Sequence, residues 1–425
     1  MELRIDRLTA RLRDNSEALL AAIDADPLLT KREAGGLVLA NASKQLFTPS
    51  AEHQLFAKGI VYQRDPYRLV SLPLLKIYNL GERNVTAHDL TALAGEGARL
   101  HFLRKFDGTM IQRFEYEGQV WFTTRGMLPG ASLSAGQAQD QDAPPYANTF
   151  DYIGTARRIA HTKYPELLVV SPGARDLTLV LELLHPDARV ITDYGGREDL
   201  VLLAVFDKSR GAYWPLERIR EFATEHRLTT ADAYTPVGTT LAEQIDSLLA
   251  TLAGTDEEGT VLVIEEPDEV VYRVKIKTPD YLRLLRLMVR CTYAATVEML
   301  DSFADFPAWP EFDNFLQAQG SDKVPEEVLG LYREHYDAFV VYRADCERLR
   351  KWALDRAAEL RRELPAGDPR SNRKAFAERA KREPHAGLLF SALDGRLSLG
   401  KVREYAGTPA EVGQALAKVP PGSGA

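Results

Sequence analysis

Apolar and polar positions divide the chain into two regimes. Up to about residue 280, apolar runs of roughly four to eight residues alternate with Gly-, Pro-, Asp- and Asn-rich breaks, the pattern of strands and turns. Such runs include GGLVLANASKQLF, KGIVYQRD, YRLVSLPL, LTLVLELLHP, ARVITDY, EDLVLLAVFD, GTVLVIEE and VVYRVKIKT. LHFLRK and TMIQRFEY flank Phe106-Asp107-Gly108. Asp-Gly there predicts a hairpin, because glycine reaches φ > 0 at no steric cost. Helices are predicted for the amphipathic N-terminus MELRIDRLTARLRDNSEALLAAI, near Phe150–His161, and near Pro215–Glu225 and Thr239–Ala253. The Pro/Gly/Gln-rich stretch Pro129–Pro145 reads as a mobile surface loop. From Tyr281 onward i, i+3, i+4 apolar spacing replaces the β-like runs, and the tail KVPPGSGA reads as disordered. The pattern predicts an α+β protein: residues 1–280 built on antiparallel sheets, then an all-helical domain over 281–425. It contains no internal repeat.

Composition narrows this picture. At 425 residues the chain exceeds one comfortable core, which agrees with two domains. Apolar residues make up 45% and charged residues 27%, and no run approaches the ~18 apolar residues of a membrane span. Charges interrupt the N-terminal helix, so it lacks the apolar stretch of a signal peptide. Two cysteines, Cys291 and Cys346, make no disulfide framework, and no Cys/His cluster has zinc spacing. A reducing cytoplasm is the simplest location. The net charge of −8 argues against a general nucleic-acid coat. One strip runs against it: Arg350–Arg382 holds eleven Lys/Arg and five Asp/Glu. Arg361, Arg362, Arg373, Lys374, Arg379 and Lys381 are its candidate RNA-binding residues, against the plainer reading of solvated helical faces.

Four clusters carry candidate chemistry. Lys105 opens K-x-D-G; alone the motif arises by chance about once in ten chains of this length. Glu182 lies inside the apolar run LTLVLELLHP, where a carboxylate is costly unless paired, hydrogen-bonded or near a metal. Glu258-Gly259 opens the next run. Lys275 and Lys277, two residues apart on a strand, project from one face, and an anion between them relieves their repulsion. Solvated faces and a buried ion pair would explain each cluster singly.

Their serial order does more. K-x-D-G, an apolar strand with an embedded Glu, E-G-x-V and K-x-K resembles the covalent nucleotidyltransferases, and most closely the phage-type RNA ligase 1 family of ATP-dependent RNA ligases. KGIVYQRDPYRLVSLPLLKIYNLGE resembles that family's upstream segment, and LVLELLHPDARVITDY its E-x-x-x-P-x-x-R-[IV]-V strand pair. KAFAERAKREPHAGLLFSALDGR extends the likeness, more weakly, into the helical third.

The resemblance implies that Lys105 attacks the α-phosphate of ATP and carries AMP as a phosphoramidate, a step that needs the neutral amine. Burial and neighbouring cations are the expected means of lowering its pKa. Asp107 and Gly108 would shape the turn that presents it, with Thr109 in place of the usual Ser. Glu182 and Arg125 would hold the ribose. Glu258 would serve Mg²⁺, for which Mn²⁺ could substitute, directly or through water. Lys275 and Lys277 would neutralise the α-phosphate, and Lys76 the outer phosphates. Lys58 stands where the family commonly has Arg, keeping the charge but losing the bidentate fork. Related DNA ligases and capping enzymes append a β-rich OB domain after K-x-K; the helical pattern here favours the RNA branch. No G-x-x-x-x-G-K-[ST] is present, so a separate kinase or phosphatase would have to heal the ends, with RNA, and cleaved tRNA in particular, as substrate. The rival reading is a catalytically idle RNA-binding protein that retains the fold.

Overall fold

The computed structural model describes residues 4–43, 48–94, 97–133, 150–320, 324–364 and 369–420. The chain divides into two compact units, Met1–Leu285 and Arg286–Ala425. The first is α+β and the second helical, the fold class expected from the pattern.

Three sheets build the first unit. One runs in the order Arg68–Ser71, Lys58–Gln63, Leu37–Ala42, Leu29–Ala34, Ser132–Leu133. A second runs Ala212–Tyr213, Asp199–Asp207, Leu177–Leu184, Thr109–Tyr116, Gln119–Thr124, with Thr229–Thr230 beside Asp199–Asp207. The third runs Ala233–Tyr234, Arg99–Arg104, Gly259–Glu266, Glu269–Lys277, Tyr78–Asn79. Pairing is antiparallel except for the short strands Thr229–Thr230 and Tyr78–Asn79. Leu177–Leu184 is buried at every position, as its largely apolar run requires of a strand packed on both faces. Leu179, Leu181 and Leu183 pack with Ile111, Phe122 and Ile159. Val180 and Leu184 pack on the opposite side with Phe56, Tyr62 and Phe206. Glu182 shares this second face by alternation.

The structure corrects three expectations. Phe106-Asp107-Gly108 is not a hairpin: Arg99–Arg104 and Thr109–Tyr116 belong to different sheets, and the segment between them is a crossover. Asp-Gly signals a tight turn only where φ > 0 is used, and Gly108 is absent from the positive-φ glycines. The tight hairpin lies ten residues on, at Glu117 (φ 49°) and Gly118 (φ 72°), joining Thr109–Tyr116 to Gln119–Thr124. ARVITDY forms no strand, because its backbone is used to bind a side chain described below. The N-terminal helix is two helices, Ile5–Asp14 and Ser16–Ala25, broken at Asn15. Of the loop over Pro129–Pro145, Ser132–Leu133 pairs with Arg32 and Glu33, and residues 134–145 lie outside the described residues, as do 421–425 of the tail.

In the second unit the 37-residue helix Glu326–Arg362 is the centre. Tyr332, Tyr336, Phe339, Tyr342, Cys346, Leu349 and Trp352 recur every three or four residues and are buried. Tyr293–Asp301, Ala386–Leu393, Leu399–Ala406 and Pro409–Leu416 pack against it. Among the described residues no helix is long and apolar enough to cross a membrane.

Candidate functional site

Lys105 directly follows the strand Arg99–Arg104, and its backbone N–H donates to the Gly259 carbonyl at 2.9 Å. The chain then leaves that sheet and enters the next at Thr109. Asp107 secures the crossing. One oxygen accepts the Ile191 and Thr192 N–H groups at 2.7 and 2.9 Å, and the other accepts the Tyr281 hydroxyl at 2.7 Å. The Asp107 N–H donates to the Tyr194 hydroxyl at 2.7 Å. This explains why ARVITDY is irregular: its amides serve a carboxylate rather than a ladder. Gly108 donates its N–H to Glu182 Oε1 at 3.1 Å. A Cβ on Gly108 would strike the Leu183 carbonyl, and one on Gly259 (φ 137°) the Ile276 carbonyl. Both motif glycines are thus demanded by close backbone approach.

The charged groups converge next to this crossing. Lys105 Nζ lies 2.6 Å from Glu258 Oε2 and 3.2 Å from the Phe106 carbonyl oxygen. Lys277 Nζ lies 2.8 Å from Glu258 Oε1, so each oxygen of this buried carboxylate holds one ammonium. A cavity of about 620 Å³ opens in front of Lys105. Lys58, Lys76, Gly108, Arg125, Glu182 and Lys275 also line it. Asp107, Glu258 and Lys277 do not: the first braces the loop, and the other two stand behind Lys105.

Lys76 pairs with Glu82 at 3.3 Å, whereas Lys58, Arg125 and Lys275 have no ion-pair partner among the described residues. Burial, then Lys105, pulls the Lys275 ammonium down to about 8, against the attraction of Glu258. Burial, then Arg125 and Lys76, likewise pulls Lys58 down to about 8. Both groups therefore lose charge as pH rises through about 8 unless an anion holds their protons there. Burial pushes the Glu182 carboxyl up to about 7; Lys105 opposes the shift and Glu258 adds to it. Half-buried Met110, Leu203 and Val261 give the cavity an apolar lining beside these cations.

The linear pattern does not reveal all of the site. Tyr281, Tyr194 and Arg104 carry no motif signal. Arg104 lines the cavity, is held by Glu257 and stacks at 5.2 Å over Phe106. Tyr281 follows K-x-K by four residues; its hydroxyl grips Asp107 and its ring lies 4.8 Å from Lys277 Nζ. Tyr281→Phe keeps the ring and leaves one Asp107 lone pair unmet, which predicts a stability loss of about 1–2 kcal/mol in a urea titration. A loss under a few tenths of that would show that the bond is not formed in solution.

The basic strip resolves into two classes. Arg373 pairs with Asp394 at 3.0 Å and Arg379 with Glu363 at 3.5 Å. Arg361, Arg362, Lys374 and Lys381 are exposed, with no ion-pair partner among the described residues. Residues 365–368 of the strip lie outside the described residues.

Among the described residues no three His, Cys, Asp or Glu side chains assemble to hold a metal ion. Among the described residues Glu258 is the carboxylate ion-paired with both Lys105 and Lys277. A single carboxylate fits a divalent ion that keeps most of its own waters.

No protein-family model and no curated protein matches the chain. Solved structures similar to it include an archaeal ATP-dependent RNA ligase, form 2, at 16% identity and a TM-score of 0.43, covering 90% of each chain. A putative ATP-dependent DNA ligase from Aquifex aeolicus is 14% identical with a TM-score of 0.38, over 79% of this chain and 80% of that one. A Naegleria gruberi RNA ligase variant with ATP and Mn is 14% identical with a TM-score of 0.35, over 51% of this chain and 58% of that one.

Proposed function

We propose that the chain is an ATP-dependent RNA ligase of the phage RNA ligase 1 kind, joining 5′-phosphate to 3′-hydroxyl ends. One observation carries this reading. Lys105, backed by a buried carboxylate, faces a cavity whose unpaired cations ask for a polyanion and whose apolar lining suits a base. Lys105 Nζ attacks the α-phosphorus of ATP; the N–P bond forms as the bond to pyrophosphate breaks. Glu258 Oε2 is placed to take the ammonium proton. Lys275, with Lys277 behind it, neutralises the charge that develops on the α-phosphate, and Lys58, Lys76 and Arg125 draw off pyrophosphate. Glu182, protonated in part near neutral pH, both donates to and accepts from the ribose. Glu258, behind Lys105, would serve a divalent ion such as Mg²⁺ or Mn²⁺ through water, and that ion would supply charge neutralisation on the triphosphate. AMP then passes to the RNA 5′-phosphate, and attack by the 3′-hydroxyl releases it.

Incubating the full chain with ATP labelled in the α-phosphate tests the reading. A denaturation-resistant protein–AMP adduct, discharged by pyrophosphate and by 5′-phosphate RNA, is expected. No adduct under any divalent ion would leave the idle RNA-binding protein as the better account.

The second unit is proposed to grip RNA around the break, cleaved tRNA being the substrate suggested by resemblance and end healing being left to separate enzymes. Reversing Arg361, Arg362, Lys374 and Lys381 to Glu should leave lysyl-AMP formation intact. RNA binding should weaken and its log–log salt slope flatten, by about 0.7 per lost contact on single strands. Reversing Arg373 and Arg379 should instead lower stability, since each holds a carboxylate. Wild-type sealing of a nicked tRNA hairpin by the fourfold variant across a salt titration would reduce the strip to a solvated face.

A further inference from the structure

Helices Glu326–Arg362 and Ala386–Leu393 pack together in the second unit and leave a groove of about 460 Å³ near their C-terminal ends. Leu354, Ala357, Ala358, Arg361 and Arg362 stand at i, i+3, i+4, i+7 and i+8, one stripe of the long helix, and Leu393 lines the groove from the shorter one. Leu354 is 39% exposed, and among the described residues it is the exposed leucine of this unit. The volume falls within the roughly 300–1,000 Å³ of ligand sites.

Among the described residues the charge on this lining is all of one sign. Arg361 and Arg362 are its charged members, and neither has an ion-pair partner among the described residues. The carboxylates next to the lining in sequence are already held: Asp355 by Lys351 at 3.1 Å, Glu359 by Arg356 at 2.8 Å and Asp394 by Arg373 at 3.0 Å. An aliphatic floor beside two uncommitted guanidinium groups matches a ligand with an apolar face and an anionic end. A nucleotide has both. Its base offers an apolar face, and its phosphate accepts paired N–H bonds from guanidinium. In a duplex the base faces are covered by stacking, so only an unstacked nucleotide can use the floor.

We propose that this groove takes one unstacked nucleotide of an RNA strand, its base on Leu354, Ala358 and Leu393 and its phosphate on Arg361 and Arg362. This subsite rests on the second unit's grip on RNA and is independent of the lysyl-adenylate chemistry. It adds to that grip a contact with a base, which a basic strip alone does not make.

Binding of a short single-stranded oligouridylate to the full chain, compared with a strand of equal length and charge that lacks bases, tests the subsite. Wild type should hold the strand with bases tighter by about fivefold or more, because only a base buries apolar area on the floor. Leu354→Gln combined with Ala358→Gln puts a helix former at two exposed positions, so the fold should be kept, with an unchanged circular dichroism spectrum. That variant should bind the two strands equally, with the salt slope of wild type. Arg361→Gln combined with Arg362→Gln should instead weaken both strands and flatten the slope. Equal affinity of wild type for the two strands would overturn the base subsite and leave the basic grip standing. So would a preference for bases that persists in Leu354→Gln/Ala358→Gln. Failure of wild type to bind either strand would overturn the grip on RNA and the subsite together.

Discussion

Lys105→Ala should form no protein–AMP adduct and should seal no 5′-phosphate RNA, a loss on the order of 10⁴-fold or more, as when a covalent nucleophile is removed. The same variant should still join RNA supplied with a 5′-adenylate, because the final attack by the 3′-hydroxyl on the activated strand needs no lysyl intermediate. The fold should survive the change. Glu258 keeps its 2.8 Å partner Lys277, and the Lys105 backbone bond to Gly259 does not involve the side chain. Retained joining of adenylylated RNA therefore separates loss of the nucleophile from collapse of the cavity. An adduct that persists in Lys105→Ala would place the nucleophile elsewhere. Lys275, whose ammonium burial pulls down to about 8, would then be the next lysine to test.

The legible part of the site is the part that lies on strands. Lys275 and Lys277 share a face because strand alternation is set by the backbone, and both charges therefore stand on the side where Lys105 lies. Glu182 was legible for the opposite reason: a carboxylate within a largely apolar run must have partners, and the Gly108 N–H at 3.1 Å is one. What linear reasoning missed are bonds made across the chain. Asp107 resembles a turn residue in sequence, yet its carboxylate draws on Ile191, Thr192 and Tyr281, 84 to 174 positions away. No local pattern encodes such a partner, so a crossover between sheets read as a hairpin. The strip Arg350–Arg382 shows the same limit. Its composition identifies a basic segment, but only the helix packing separates Arg373 and Arg379, each holding a carboxylate, from the four cations with no ion-pair partner among the described residues.

Glu258 should give the second large effect, for a reason the structure makes specific. Its two oxygens hold Lys105 Nζ at 2.6 Å and Lys277 Nζ at 2.8 Å, and the carboxylate is 2% exposed. Glu258→Ala leaves two ammonium groups facing each other across an emptied site, with Lys275 adding to the repulsion. Removing one partner of a buried charge pair costs about 3 kcal/mol or more, so the variant should unfold earlier in urea. Glu258→Gln keeps the volume and one acceptor oxygen and should recover part of that stability. Neither variant should recover the chemistry. Without the carboxylate nothing at this position takes the Lys105 proton or orients Lys277, and lysyl-AMP formation should fall by about 10³-fold or more in both. Comparing the two separates stability from catalysis: a Glu258→Gln protein that is folded by circular dichroism but does not adenylylate locates the loss in the carboxylate charge. Titrating Mg²⁺ then tests the proposed metal role, since raising the ion concentration should not restore the wild-type rate. A folded Glu258→Gln enzyme with normal adenylylation across that titration would remove Glu258 from both roles and leave it as the counter-ion that keeps two buried lysines in place.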